Sequence, residues 1–184
     1  EVPGAHQVRH PRLDHVGPSD ERSPRVTISG ITPFLWFDTQ GRQAAELYVS
    51  LFPGSRITSV SYYPDDVPGR GGLELVVEFE LFGRPFAALN GGPEFPHTEA
   101  VSFQVACDTQ AEIDRVWFAL IADGGAEGRC GWCKDRFGVN WQIVPSCMGE
   151  LLAAQDAASS ARAFAAMMQM GRLDIAALEQ AGAD

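Results

Sequence analysis

The order of elements written into this chain is the feature that most limits its fold. A strand, a helix and three further strands can be read twice over, at an offset of about seventy residues. A sheet with one apolar face must bury that face, and a helix inside the same run is the nearest cover. Two such runs therefore predict an α+β fold made of two β-α-β-β-β modules. In the first round, residues 31–38 are apolar almost throughout and read as a central strand. Residues 40–52 read as a helix, with Ala44, Leu47, Tyr48 and Leu51 on one stripe and Pro53-Gly54 as the stop. Strands follow at 56–63, 73–81 and 85–90. In the third strand Leu75, Val77, Phe79 and Leu81 alternate with Glu74, Glu78 and Glu80. In the second round, Val101, Phe103, Val105 and Cys107 mark a strand. Thr109-x-x-Glu112 is a capping box, and Ile113, Val116, Trp117, Leu120 and Ile121 share the face of the helix it opens.

The second round ends in CGWCKDRFGVNWQIVP, residues 130–145. Asp135-Arg136-Phe137-Gly138 has turn chemistry, and Gly138 is free to take a positive φ. Beyond it Val139, Trp141 and Ile143 alternate with Asn140, Gln142 and Val144. One face of this strand suits a core and the other offers an amide pair. Lys134-Asp135 reads as a solvated turn pair. Residues 149–184 are Ala-rich and helical, with Phe164, Met167 and Met168 as an apolar packing stripe, a break at Gly171 and Asp174 as a cap. Residues 1–27, rich in Pro, Arg, Asp, Ser and His, read as a disordered or loosely docked tail, with His6, His10 and His15 solvated. The organisation expected is thus a tail at 1–27, paired modules at 28–148 (28–97 and 98–148) and C-terminal helices at 149–184.

Charge and cysteine usage narrow the function. The formal charge of −10 argues against nucleic-acid and anionic-membrane partners. No apolar run approaches the ~20 residues of a membrane span, and no leader of signal-peptide type is read. A cytoplasmic protein is expected. Four cysteines are too few for a disulfide scaffold at 184 residues. Cys130-Gly-Trp-Cys133 lies in a predicted strand rather than at a helix N-terminus, and no second Cys or His pair has zinc spacing, so both thiols are expected reduced and metal-free.

Several stretches resemble one family. The hairpin at 130–145, ITPFLWFD at 31–38, LNGGPEF at 89–95, TEAVSFQVACD at 98–108 and MGRLDIAALEQA at 170–181 are similar to the PhnB-like proteins. These are a branch of the glyoxalase/bleomycin-resistance/dioxygenase (vicinal oxygen chelate) superfamily, and members are often labelled 3-demethylubiquinone-9 3-methyltransferase. The resemblance implies a homodimer whose modules enclose a cleft. It also implies a divalent metal held at positions that fall here on about Ile31, near Ala100 and on Gln142. Ile and Ala have no donor atom and an amide oxygen is a weak neutral ligand, so no metal site of the usual kind and no cofactor are expected. Methyl transfer would need a donor loop. Asn90-Gly91-Gly92-Pro93 follows a strand, but Pro93 and Pro96 stop a helix from starting there. His97 is either a catalytic base or, more simply, a partly exposed loop residue.

What remains is a small-molecule cleft with polar handles Asn90, Glu99 and Gln142 and aromatic walls Trp36, Phe95 and Trp132. The alternative is that both tryptophans are core and that Asn90 and Gln142 satisfy neighbouring backbone. Three functions stay open: a small-molecule binder of this superfamily, an enzyme (a metal-dependent lyase or dioxygenase, or the methyltransferase of the label), and a non-enzymatic sequestering protein of the resistance kind.

Overall fold

Each round of the repeat closes into its own four-stranded mixed sheet. The computed structural model describes residues 29–153 and 156–183; the tail at 1–27 and its three histidines lie outside the described residues. From Thr32 onward the chain forms one unit. Its first module is β1 (Phe34–Phe37), α1 (Gly41–Leu51), β2 (Arg56–Tyr62), β3 (Glu74–Leu81) and β4 (Arg84–Asn90). Its second is β5 (Phe103–Cys107), α2 (Gln110–Ile121), β6 (Ala126–Glu127), β7 (Trp132–Lys134) and β8 (Asn140–Pro145). Helices α3 (Met148–Leu152), α4 (Ala157–Met167) and α5 (Ile175–Ala183) follow. No helix among the described residues is long and apolar enough to cross a membrane.

The two sheets have the same topology, β1-β4-β3-β2 and β5-β8-β7-β6. In each, the first strand pairs in parallel with the last, Phe37 opposite Asn90 and Cys107 opposite Pro145. The parallel ladder ends the same way in both: Gly91 N donates to Phe37 O (2.9 Å) and Ser146 N to Cys107 O (2.8 Å). Behind this likeness stands an identity that element order alone does not reveal. Asp-Thr-Gln occupies 38–40 and again 108–110, the strand-to-helix junction of each module. The expected central position of β1 is corrected: it is an edge strand, as is β5. Its apolar run is explained otherwise. Leu35 and Phe37 pack on the helical side, Trp36 packs under the loop after β4, and Phe34 is left 59% exposed.

Both helices pack on the same side of their sheets and share one core. Trp141 of β8, 2% exposed, meets the rings of Tyr48 (5.0 Å), Phe52 (5.9 Å) and Phe103 (5.5 Å). Phe86 of the first module packs on Phe103 of the second. At the centre of this join sits Asp135, 2% exposed. Its carboxyl group accepts from Tyr48 Oη (2.7 Å), Trp141 Nε1 (2.9 Å), Phe137 N (2.9 Å) and Val139 N (3.1 Å). The solvated turn pair expected at 134–135 is therefore half right: Lys134 reaches solvent and Asp135 does not. A buried carboxyl group is tolerable because every oxygen is satisfied. Burial, with Asp135 alongside, pushes the Tyr48 phenol well above its ordinary pKa, so it stays a neutral donor. Gly138 closes the turn at φ +89°, as the sequence suggested.

The C-terminal helices bury Val144 with Leu173 and Leu178, flanked by Met148, Leu151, Met167 and Met170. Two backbone bonds pin this extension to the start of the last hairpin: Cys130 N to Met170 O (2.7 Å) and Gly131 N to Gly171 O (2.8 Å). Asp174 accepts from Ala177 N, the cap expected there. The expected stripe on α4 is corrected. Phe164 and Met168 are exposed, and Ala163, Ala166 and Met167 make the contact. Small side chains let α4 and α5 approach closely, and larger ones are turned outward.

Candidate functional site

Strand β8 decides which face of the second sheet is turned away from α2. Trp141 and Ile143 point into the core shared with α2, so Asn140, Gln142 and Val144 point the other way. The cross-strand partners of Gln142 are Gln104 on β5 and Trp132 on β7, which share its face. Gln142 is half-buried, and its Nε2 donates to Ser102 Oγ (2.8 Å). Next to Trp132, Glu99 and Lys134 form an ion pair at 2.6 Å. The hydrogen bond from Lys134 holds the Glu99 carboxyl below its usual range. Glu99, Trp132, Lys134 and Asn140 line a shallow depression of about 180 Å³. Three of the six expected site residues, Glu99, Trp132 and Gln142, therefore neighbour one another on this face.

The other three lie in the first module. Trp36 Nε1 donates to Gly92 O (2.7 Å), and the Phe95 ring stands edge-on to Trp36 at 4.9 Å. A Cβ on Gly91 would fall 2.2 Å from the Trp36 ring, so the loop can lie this close only as glycine. Asn90 is buried. Its Oδ1 accepts from Gly41 N (2.8 Å) at the start of α1, and its Nδ2 donates to Glu74 O (3.1 Å). It also borders a pocket of about 380 Å³ with Asp38, Tyr63 and Arg70. Asn90 and the pair Glu99 and Trp132 thus border two different pockets.

The residues present do not fit the superfamily's divalent metal. Ile31, 91% exposed, and Ala100 carry no donor, and Gln142 offers only a neutral amide oxygen in place of a carboxylate. Among the described residues no group of three or more His, Cys, Asp or Glu side chains could hold a metal ion. A methyl donor fits no better at Gly91-Gly92. The loop is filled by Trp36 and tied by Arg70, which donates to Gly91 O (2.9 Å), and no helix follows before β5. All four cysteines are free. Burial pushes the Cys133 thiol up to about 12 and the Cys107 thiol to about 11.

His97 is a half-buried loop residue, the simpler of its two expected readings. Its ring lies 5.2 Å from Phe37, and its Nε2 is buried with no hydrogen-bond partner. Burial lowers its pKa, partly offset by the field of Asp135 and a hydrogen bond to the Trp36 backbone. Asp135 was missed. The signal for it was a turn Asp two residues before an apolar side chain, a spacing at which the carboxyl group can bond the backbone of its own turn.

The topology and the comparisons agree. Residues 29–144 match the family model of 3-demethylubiquinone-9 3-methyltransferase. A PhnB protein of Bacillus cereus that carries the same enzyme description is 35% identical. It covers 62% of this chain and 98% of its own, with a TM-score of 0.57. A protein of Pseudomonas aeruginosa is 22% identical over 62% of this chain and 96% of its own (TM-score 0.48). The fosfomycin resistance protein FosX of Mesorhizobium loti is 16% identical over 69% and 99% (TM-score 0.49). No curated protein matches. With almost two thirds of its length inside the family model and two sheets of one topology, the chain belongs to the 3-demethylubiquinone-9 3-methyltransferase family, the PhnB-like proteins of the glyoxalase/bleomycin-resistance fold.

Proposed function

We propose that the chain binds a small organic molecule on the face of its second sheet opposite α2, at the part around Gln142 and Trp132 that the C-terminal helices leave open, and works as a cytoplasmic homodimer. The observation that carries this reading is the direction of Gln142. Its neighbours Trp141 and Ile143 are core, while it presents a half-buried amide beside Trp132 on a face that α2 does not cover and the C-terminal helices cover at Val144. Aromatic area with a few placed polar groups is the usual make-up of a ligand site. A second copy supports closure of that face, because each sheet also ends in an unpaired edge strand. Free thiols support a reducing compartment. Sequestration without chemistry needs neither metal nor methyl donor, and it is the form of the reading that the residues present can support. Methyl transfer and metal-dependent lyase or dioxygenase chemistry need groups for which these side chains offer no holding set.

Mass spectrometry of extracts from purified protein tests the reading. A compound released by the wild type and lost in Gln142→Ala is the expected result, with stability changed by less than about 0.5 kcal/mol. Retention of the compound by Gln142→Ala would sink the location. Calorimetry with zinc, nickel and manganese should show no tight binding, and micromolar binding abolished by Gln142→Ala would restore the metal enzyme. Light scattering across a dilution series should give a dimer mass.

A further inference from the structure

A third cavity lies where the two modules meet, on the side of β5 away from β8. It is a groove of about 490 Å³, within the size range of small-molecule sites. One side is the outer edge of β5, residues 102–106, and the other is the β3–β4 hairpin. Its walls are aromatic and continuous. Phe82 packs on Phe52 (5.4 Å), Phe52 on Trp141, Trp141 on Phe103, and Phe103 on Phe86 (5.4 Å). Trp141 and Phe103 lie on the core side of their sheet, so the aromatic part of this groove faces away from Gln142, and the two regions meet only at the edge of β5, where Ser102 and Gln104 line the groove.

Two features of the rim are unusual. The hairpin turns on Phe82 (φ +51°) and Gly83 (φ +73°), with Leu81 paired to Arg84. Such a two-residue turn is ordinarily made by Asn-Gly or Asp-Gly, and a bulky aromatic in the left-handed region is an uncommon and costly choice. The cost leaves the Phe82 ring 61% exposed at the mouth of the groove. Beside it, Arg84 also lines the groove. Among the described residues Arg84 has neither an ion-pair partner nor a side-chain hydrogen bond, although the chain carries ten more acidic than basic charges. A free guanidinium at the edge of an aromatic slot complements one ligand chemistry: a flat apolar body with a carboxylate at one end.

The geometry points to an aromatic carboxylate-binding site in this groove, with Arg84 pairing the carboxylate and Phe82, Phe86 and Phe103 holding the ring. The probe is 1-naphthoate, compared with its neutral analogue 1-naphthamide, by calorimetry and amide chemical shifts. The wild type should bind the acid more tightly than the amide by about tenfold, the scale of one charge-assisted hydrogen bond. Shifts should fall on residues 102–106 and 81–86. Arg84→Gln should bring the acid down to the level of the amide. Phe82→Asn should weaken both ligands together without lowering the melting temperature, since Asn suits the turn better. No response to millimolar naphthoate, equal binding of acid and amide, or shifts confined to residues 132–134 would overturn the proposal. So would a dimer that Phe82→Asn converts to a monomer, because the groove would then be a subunit contact.

Discussion

The two modules share a topology but start their helices differently. In the second, Thr109 accepts from Glu112 N and the Glu112 side chain returns to Thr109 N, a local box within four residues. In the first, the matching positions are Thr39 and Arg42, which cannot make that box, and Arg42 pairs instead with Glu74. The free N–H of Gly41 is met from 49 residues away by the side chain of Asn90. In the second module the residue in the register of Asn90 is Pro145, which has no polar side chain and needs none. One helix is thus capped by its own sequence and the other by the sheet it packs on. The polar residue that looks most like a cleft handle in the first module is the one that does this capping.

Four variants test how deep that difference goes. Asp135→Ala should have the largest effect. It strands Tyr48 Oη, Trp141 Nε1 and two backbone N–H groups in the join between modules, a loss of roughly 3–5 kcal/mol by urea unfolding. A loss under ~1 kcal/mol would mean that the modules are held by aromatic packing alone. Asn90→Ala should come next, at about 2 kcal/mol, because it leaves a buried helix N–H and a strand C=O without their partner. Thr109→Ala should cost only about 1 kcal/mol, since its cap is solvent-exposed and water can replace it. If Thr109→Ala proved the more damaging of the two, distant capping would not be the stronger kind in this fold.

The smallest effect is one of pH. His97 has a folded pKa below its unfolded value, so between the two the unfolded chain binds more protons. The stability that goes with a neutral His97 is present above pH ~6.5 and is lost as pH falls through that value toward the lower folded pKa. Urea midpoints should drop on acidification in this window, and His97→Gln should flatten the drop. A wild-type profile that His97→Gln leaves unchanged would assign the acid sensitivity elsewhere.

Much of this was legible along the chain because its causes are local. A period of two separated Trp141 and Ile143 from Gln142, and Thr109-x-x-Glu112 announced its own helix. The order of elements carried the duplication of the sheets. What was hidden depends on residues far apart. Asp135 reads as a surface turn until Tyr48, 87 positions earlier, is found against it. Asn90 stays open between a cleft handle and a partner for backbone, and only the fold, with its oxygen 2.8 Å from the N–H of Gly41, decides for the second. The aromatic groove draws Phe52, Phe82 and Phe103 from three separate parts of the chain, none of which is unusual alone.

The protonated state of Cys133 has a kinetic consequence. Only a thiolate attacks alkylating reagents, and a thiol with a pKa of about 12 inside the second sheet presents almost none in the native state. Its modification therefore waits for the sheet to open, and the rate of that modification is a clock for opening. Cys107 on β5 carries a second clock at the sheet's free edge. Equal rates for the two would describe a sheet that opens as one body. A faster Cys107 would describe an edge strand that peels away first.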